Sequence, residues 1–299
     1  DAPVDVAVVE VGLGGAWDST NVVTGDVAVL TPIARDHERW LGYELTEIAG
    51  QKAGIIKDGA TVVMAEQRSE AEGVVLAVAA ERGARLLREG VDLEVAGRSL
   101  AVGGQLLDLR TPGGLYTEVF LPLHGAHQAH NALLALVAVE ALLKQEGALS
   151  GELVEAAFAD MHSPGRLEVV RSSPTVLVDA AHNPHGVDAL VAGVQEAFSF
   201  ERLVGVVGIL QDKDAEAIFS GLEPLLDDVV VTRSGSLRAH DVEDLAEIAR
   251  EVFGEERVHA AERLDDAISL AVELAESATE GSPTGAGVLV TGSVTMAAE

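Results

Sequence analysis

The feature that most restricts the fold is a repeating arrangement of short β-branched apolar runs separated by stretches of helical periodicity. The runs VDVAVVEV, DVAVL, TVVM, TVLVD, RLVGVVG, DVVVT and GVLVT are apolar at consecutive positions. A strand with both faces buried reads this way, and such strands belong to parallel sheets covered by crossover helices. The fold class is therefore α/β. Residues 91–123 break the pattern: VDLEVAG, SLAVGG, LLDLRT and YTEVFLPL, interrupted by Gly and Pro, predict small antiparallel strands forming a β subregion.

From Gly125 the segment GAHQAHNALLALVAVEALLKQ is almost continuously apolar after Asn131, which predicts a well-buried helix. A second helix is expected over Glu152–Met161. SPGRLEVVRSSP then carries two prolines and no helical period, so a domain boundary is expected near residues 163–174. At 299 residues, 48% of them hydrophobic, the chain can bury two cores. The division expected is residues 1–165 and 166–299, the second having the size of one doubly wound domain and a cleft being expected between the two. There is no internal repeat.

Composition narrows the chemistry. With no cysteine, disulfides and thiolate metal sites are excluded, and a metal would need oxygen or imidazole ligands. A net charge of −29 without any basic patch argues against nucleic acid as a partner. The acidic residues are spread along helical segments such as EDLAEIAREVF, where they read as solvated faces. No apolar run reaches the roughly 20 residues of a bilayer span, and no signal-peptide pattern opens the sequence. The expectation is a cytoplasmic protein with no membrane association. Because VDVAVVEV begins almost at once without an initiator methionine, the chain is expected to start within a domain. Its other end, VLVTGSVTMAAE, stops soon after a strand-like run.

Several segments place reactive side chains at strand ends, where parallel sheets bind ligands. In VEVGLGGAWDSTN a strand runs into Glu10 and the glycines Gly12, Gly14 and Gly15, which permit close backbone approach to a ligand. Neither a Walker loop nor a dinucleotide fingerprint is present, and an ordinary tight turn explains the glycines as well. TPIARDHERWLG carries Asp36 and His37 after the run DVAVL. His37 with Glu10 would make an O/N site for Mg²⁺ or Mn²⁺; a solvated loop histidine is the alternative. In EIAGQKAGIIKDG, Lys52 sits among small residues where partial desolvation would alter its chemistry, whereas Lys57 reads as turn surface. HGAHQAHN spaces three histidines three apart without the carboxylate of a zinc protease site. Asn131 lies near that helix start, a place for a polar ligand.

The richest segment is SPGRLEVV with TVLVDAAHNPHGVDAL. Asp179 ends a strand, where it either faces a ligand crevice or caps the following turn, and His182 follows in the loop. Asn183 suits an N-cap and Pro184 the first helical turn. Val187, Leu190, Val191, Val194 and Phe198 form an apolar helix stripe. Arg166 offers a fork of donors for phosphate. In QDKD, Lys213 could meet a carboxylate or phosphate, or simply belong to a surface turn.

The ordered set EVGLGGAWDSTN, DHERWLG, QKAGIIK, HGAHQAHNALLAL, SPGRLE, DAAHNPHG and QDKD resembles the folylpolyglutamate synthase/dihydrofolate synthase family, relatives of the Mur ligases. The resemblance covers almost the whole chain. It implies the remainder of a P-loop-type α/β ATPase domain followed by a Rossmann-like ligase domain, and a reaction in which ATP phosphorylates a pteroate or folate carboxylate before L-glutamate attacks; a monomer is expected, though no residue pattern specifies it. It further implies Glu10 and His37 as Mg²⁺ ligands, Trp17, Asp18 and Ser19 as part of the pteroate site, and Lys52 as a lysine open to carbamylation. Asn131, Arg166 and Asp179 resemble ATP contacts, with His182 and Lys213 placed for glutamate or the γ-phosphate.

Two departures from the family stand out. A glycine-rich TGTNGKGS-like nucleotide loop is absent, so the chain alone is expected not to turn over. Ala16 stands where an arginine is common, bearing on pterin preference. A Mur ligase acting on a UDP-muramyl peptide and a non-catalytic fragment remain as alternatives at this level.

Overall fold

The computed structural model describes residues 3–144, 147–277 and 285–299. In chain order the elements are β1 (Val27–Leu30), α1 (Glu38–Leu41), α2 (Leu45–Ala53), β2 (Thr61–Met64), α3 (Ser69–Glu81), β3 (Arg85–Arg88), β4 (Glu94–Ala101), β5 (Gly104–Thr111), β6 (Gly114–Leu121), α4 (Ala126–Leu143) and α5 (Gly151–Ala159). They continue with β7 (Glu168–Ser172), β8 (Thr175–Val178), α6 (Pro184–Ala197), β9 (Arg202–Val207), α7 (Ala215–Leu222), β10 (Asp228–Val231), α8 (Val242–Phe253), β11 (Val258–Ala260), α9 (Leu264–Ser277), β12 (Ala286–Thr291) and α10 (Val294–Ala298). Two compact units emerge. The first comprises Asp1–Ser99, Leu106–Phe120 and Ala129–Ala159; the second comprises Leu100–Gln105, Leu121–Gln128 and Asp160–Glu299.

In the first unit β1, β2 and β3 pair in parallel in that order. Parallel neighbours need crossovers, and α2 and α3 supply them, packing extensively on one another. Ile48, Ala49 and Ala53 of α2, Ala71 and Val75 of α3, and Val62 and Met64 of β2 form the core. The strands β4, β5 and β6 make a separate sheet. Two-residue connections at Val102–Gly103 and Pro112–Gly113 join them, a spacing that only antiparallel neighbours allow.

The second unit is built on a sheet ordered β11-β10-β9-β12-β8-β7, parallel except for the β7–β8 pair. Period-two alternation splits its side chains between two cores. Leu203 and Val207 of β9 join Leu177, Val229, Val231 and Leu289 beneath α6, α7 and α8. Val204 and Val206 join Val176, Val230, Val288 and Val290 on the other face. There α9 presents Ala267, Ala271 and Ala275, whose four-residue spacing gives one smooth stripe that brings its backbone close to β9 and β12. The α6 stripe lies where expected: Val187, Leu190 and Val194 are buried, with Val191 and Phe198 packed alongside.

Two expectations need correction. VDVAVVEV forms no strand: residues 3–12 carry no ladder, and Val4, Val6 and Val8 are exposed at 70%, 55% and 97%. A β-branched run becomes a strand only when neighbours satisfy its N–H and C=O groups, and no described strand flanks it. The helix α4 is buried on one face only; Leu133, Leu134 and Val137 are inside while Val139 and Leu143 are exposed. Within SPGRLEVVRSSP, β7 pairs antiparallel with β8 around a register shift at Val169/Arg171.

Phe219 is fully buried and meets Phe253 edge-on at 6.1 Å. Phe219→Ala is expected to destabilise the second unit by roughly 3–5 kcal/mol through the cavity left behind, measured by urea unfolding.

Candidate functional site

The motif residues fall in both units and are described within each. In the second unit the SPGRLE and DAAHNP segments form one structure around a carboxylate. Asp179 is buried at 6% exposure. Its Oδ2 accepts the Leu167 N–H at 2.8 Å and its Oδ1 accepts the Ala181 N–H at 2.8 Å. The Ala180 N–H donates to the Gly165 carbonyl at 2.8 Å, and the Gly165 N–H donates to Glu168 Oε2 at 2.8 Å. Gly165 has φ +67° with Ala297 Cβ only 3.1 Å from where its own Cβ would sit, so glycine is required there. Leu167 also has positive φ, +48°, which disfavours a branched side chain. The Asp179 bond and burial of its side chain in the core hold it in place. Between these two fixed residues Arg166 projects exposed.

Burial pushes the Asp179 carboxyl up, opposed by the N–H donors of Ala181 and Leu167 and by the nearby Arg166 and His182 charges. His182 Nδ1 lies 2.9 Å from the Ala180 carbonyl. A carbonyl only accepts, so Nδ1 carries a proton. Asn183 caps α6 by accepting the Gly186 N–H at 2.8 Å, with Pro184 in the first turn, as its position in the sequence predicts. Asp214 caps α7, and Lys213 lies partly buried in the turn before it.

One group escaped the sequence reading. At the carboxyl ends of β10 and β12, Thr295 Oγ1 donates to Ser234 Oγ at 3.0 Å and lies 3.0 Å from Ser293 Oγ. The signal was VLVTGS, another strand running into a glycine turn.

In the first unit the glycine-rich segment is a compact loop pressed on the end of α2. Ala16 N–H donates to the Gln51 carbonyl at 2.8 Å. A Cβ on Gly15 would lie 2.7 Å from that carbonyl. Asp18 accepts from Leu13 N–H at 3.0 Å, Thr20 N–H at 2.9 Å and Thr20 Oγ1 at 2.6 Å. The Thr20 hydroxyl, then the Thr20 and Leu13 N–H groups, pull its pKa down to about 2. Asp18 thus also shapes the loop, while Trp17, at 84% exposure, and Ser19 face solvent. Lys52 occupies the last turn of α2. Lys57, read from sequence as turn surface, instead donates to Asn21.

His37 follows β1 in the left-handed region at φ 53°, with its carbonyl accepting the Trp40 and Leu41 N–H groups. Glu10 stands exposed in the strandless N-terminal stretch, so its predicted place at a strand end is not realised here. Among the described residues no three His, Cys, Asp or Glu side chains gather as a metal site. The expected pair, Glu10 and His37, offers one carboxylate and one imidazole.

Asn131 is exposed on the first turns of α4. Beside it His130 Nδ1 is paired with Glu89 Oε1, and Glu89 Oε2 accepts the Glu66 N–H at 3.1 Å. The three histidines therefore do not converge: His124 precedes the helix and packs edge-on to Phe198 at 5.0 Å. A cavity of about 460 Å³ opens instead at the amino ends of the first sheet, lined by Asp26, Thr61, Arg85, Glu140 and Lys144 among others. None of the motif residues lines it.

The Glu89 hydrogen bond raises the His130 pKa against the effect of burial. Burial would raise Glu89, but the His130 and Glu66 hydrogen bonds outweigh it and hold Glu89 low. Stability from His130 is fully present below its unfolded pKa of about 6.5 and is lost as pH rises through its raised value; that from Glu89 is present above about 4.3 and is lost as pH falls through its lowered value. His130→Gln is therefore expected to lower Tm most between about pH 4.5 and 6.5, the difference from wild type shrinking toward pH 9 in thermal unfolding scans.

A family profile described as "Mur ligase, glutamate ligase domain" matches residues 165–294. The chain is 49% identical to the dihydrofolate synthase/folylpolyglutamate synthase of Mycobacterium tuberculosis over 99% of its own length and 64% of that protein's. It thus spans just under two thirds of this relative. The crystal structure of the M. tuberculosis folylpolyglutamate synthase complexed with ADP and AMPPCP superposes with TM-score 0.94 at 49% identity, covering 99% of this chain and 67% of that one. That of E. coli FolC in complex with DHPP and ADP gives TM-score 0.79 at 30% identity, covering 96% and 63%. The chain belongs to the folylpolyglutamate synthase/dihydrofolate synthase family, within the Mur ligases.

Proposed function

We propose that this protein joins L-glutamate to dihydropteroate, to folates, or to both, driven by ATP through an acyl phosphate. The observation that carries the reading is the architecture around Asp179, where a buried carboxylate fixes both motif turns by their N–H groups and leaves Arg166 displayed between them. The 49% identity to a dihydrofolate synthase/folylpolyglutamate synthase favours this over a UDP-muramyl substrate and over an inert fragment.

In the first step a carboxylate oxygen of the pteroate or folate attacks the γ-phosphorus, and the bond to the β,γ-bridging oxygen breaks to release ADP. In the second, the glutamate amine attacks the acyl carbon, phosphate departs, and the amine loses a proton. Several negative charges meet in these steps, so fixed cations are required. Arg166 binds phosphate oxygens as a planar fork whose backbone is already held by its neighbours. Asp179 acts through that turn, and Asn131 contacts the nucleotide. Lys213 and His182 serve the γ-phosphate or the incoming glutamate. Trp17, Asp18 and Ser19 form part of the pteroate surface. Lys52, if carbamylated, becomes an anion able to support the metal. Glu10 and His37 would hold Mg²⁺, which when bound supplies charge neutralisation at the phosphates.

The test is ligation by the full-length protein with ATP, Mg²⁺, L-glutamate and dihydropteroate or tetrahydrofolate. Wild type is expected to release ADP in step with glutamylated product, and Arg166→Ala to lower kcat/KM for ATP by about a hundredfold or more. Product formation only from a UDP-muramyl peptide would sink the folate assignment.

A further inference from the structure

Lys57 lies on the connection between α2 and β2, outside the catalytic and ligand-binding assignments above. Its ammonium donates to the Asn21 backbone carbonyl at 2.7 Å and to Asn21 Oδ1 at 2.8 Å, across 36 positions of sequence. The same Asn21 amide donates through Nδ2 to the Ala16 carbonyl at 3.0 Å. One side chain thus ties Lys57 to both the end and the middle of the glycine-rich loop. The remaining side-chain bonds of that loop, from Leu13 and Thr20 to Asp18, are internal to it. They shape the loop without fixing it to the sheet.

A loop containing Gly12, Gly14 and Gly15 has little stiffness of its own. Its placement comes from outside contacts: the Ala16 bond to Gln51, the close approach of Gly54, whose Cβ would lie 2.5 Å from Ala16 Cβ, and the partly buried Lys57 ammonium. The last is charge-assisted and made twice, which sets it among the stronger hydrogen bonds available. It also fixes the Asn21 amide with its oxygen toward Lys57 and its nitrogen toward Ala16, next to the exposed Trp17.

We propose that Lys57 is a positioning residue that orients the residue 12–22 loop and thereby sets affinity for the aromatic acid substrate, the pteroate or folate. The proposal rests on the reading of Trp17 and Ser19 as part of that substrate's surface. Lys57 touches no reacting atom; it acts through Asn21.

The test uses Lys57→Met, Lys57→Arg and Asn21→Ala in the full-length protein, with steady-state kinetics for each substrate. Trp17 fluorescence anisotropy is read in a Trp40→Phe background, since the chain has two tryptophans. Lys57→Met is expected to raise KM for dihydropteroate or folate by roughly tenfold or more. KM for ATP and glutamate and kcat at saturation stay near wild type, and Trp17 anisotropy falls. Lys57→Arg, which keeps the charge and donors, restores most of the affinity. Asn21→Ala, which keeps only the backbone acceptor, gives the same selective rise and serves if Lys57→Met fails to fold. An unchanged pterin KM, or an equal loss for all three substrates that tracks a lower Tm and is not rescued by arginine, would overturn the proposal. Should wild type ligate no pterin, the functional reading fails on its own, and unchanged Trp17 anisotropy in Lys57→Met would then overturn the clamp independently.

Discussion

The arrangement on which the second unit's site depends is a buried carboxylate turned inward on the backbone. With both oxygens of Asp179 accepting N–H groups from Leu167 and Ala181, the turns on either side of the β7–β8 pair are tied together. The penalty for burying a charge is partly offset by these bonds, and removal of the carboxylate would leave two buried donors unpaired. The device recurs in other forms. Asp18 gathers the Leu13 and Thr20 N–H groups, and Asn183, Asp214 and Asp241 cap α6, α7 and α8. An acidic chain thus uses part of its carboxylate and amide inventory to shape the loops that carry its few cations.

Much of this was legible beforehand, because buried parallel strands and capped helices leave direct marks. TVLVD, RLVGVVG, DVVVT and GVLVT became β8, β9, β10 and β12, and Asn183-Pro184 opened α6 as its chemistry requires. What escaped notice lacks such marks. In β3 a pair of leucines sits between Arg85 and Arg88; β11 has three residues; and every residue of β7 is exposed on an antiparallel edge. Periodicity reports burial, so a strand with little burial is silent. VDVAVVEV erred in the opposite direction, since apolar composition states a preference for a ladder without supplying the neighbouring strands.

At the candidate site the identity of the residues was more readable than their work. Asp18 and Asp179, expected as ligand contacts, also accept backbone N–H groups that shape their own turns. Lys57 seemed ordinary because its partner lies 36 positions away, a separation no local pattern exposes. Arg166 illustrates the converse: glycine before it and a positive-φ leucine after it explain why SPGRLE has that wording, and the exposed arginine is what the wording presents. For a protein of net charge −29, binding of phosphate and carboxylate groups has to come from such locally fixed cations, since the overall field repels anions.

The central claim is that ATP activates a carboxylate for attack by glutamate. It is tested most directly by following oxygen. Dihydropteroate labelled with ¹⁸O in its carboxylate is incubated with the full-length protein, ATP, Mg²⁺ and L-glutamate, and the inorganic phosphate is analysed by mass spectrometry. Transfer of one labelled oxygen to phosphate for each amide formed is the predicted result. Amide formation with unlabelled phosphate, or release of ADP without any pterin product, would contradict the account.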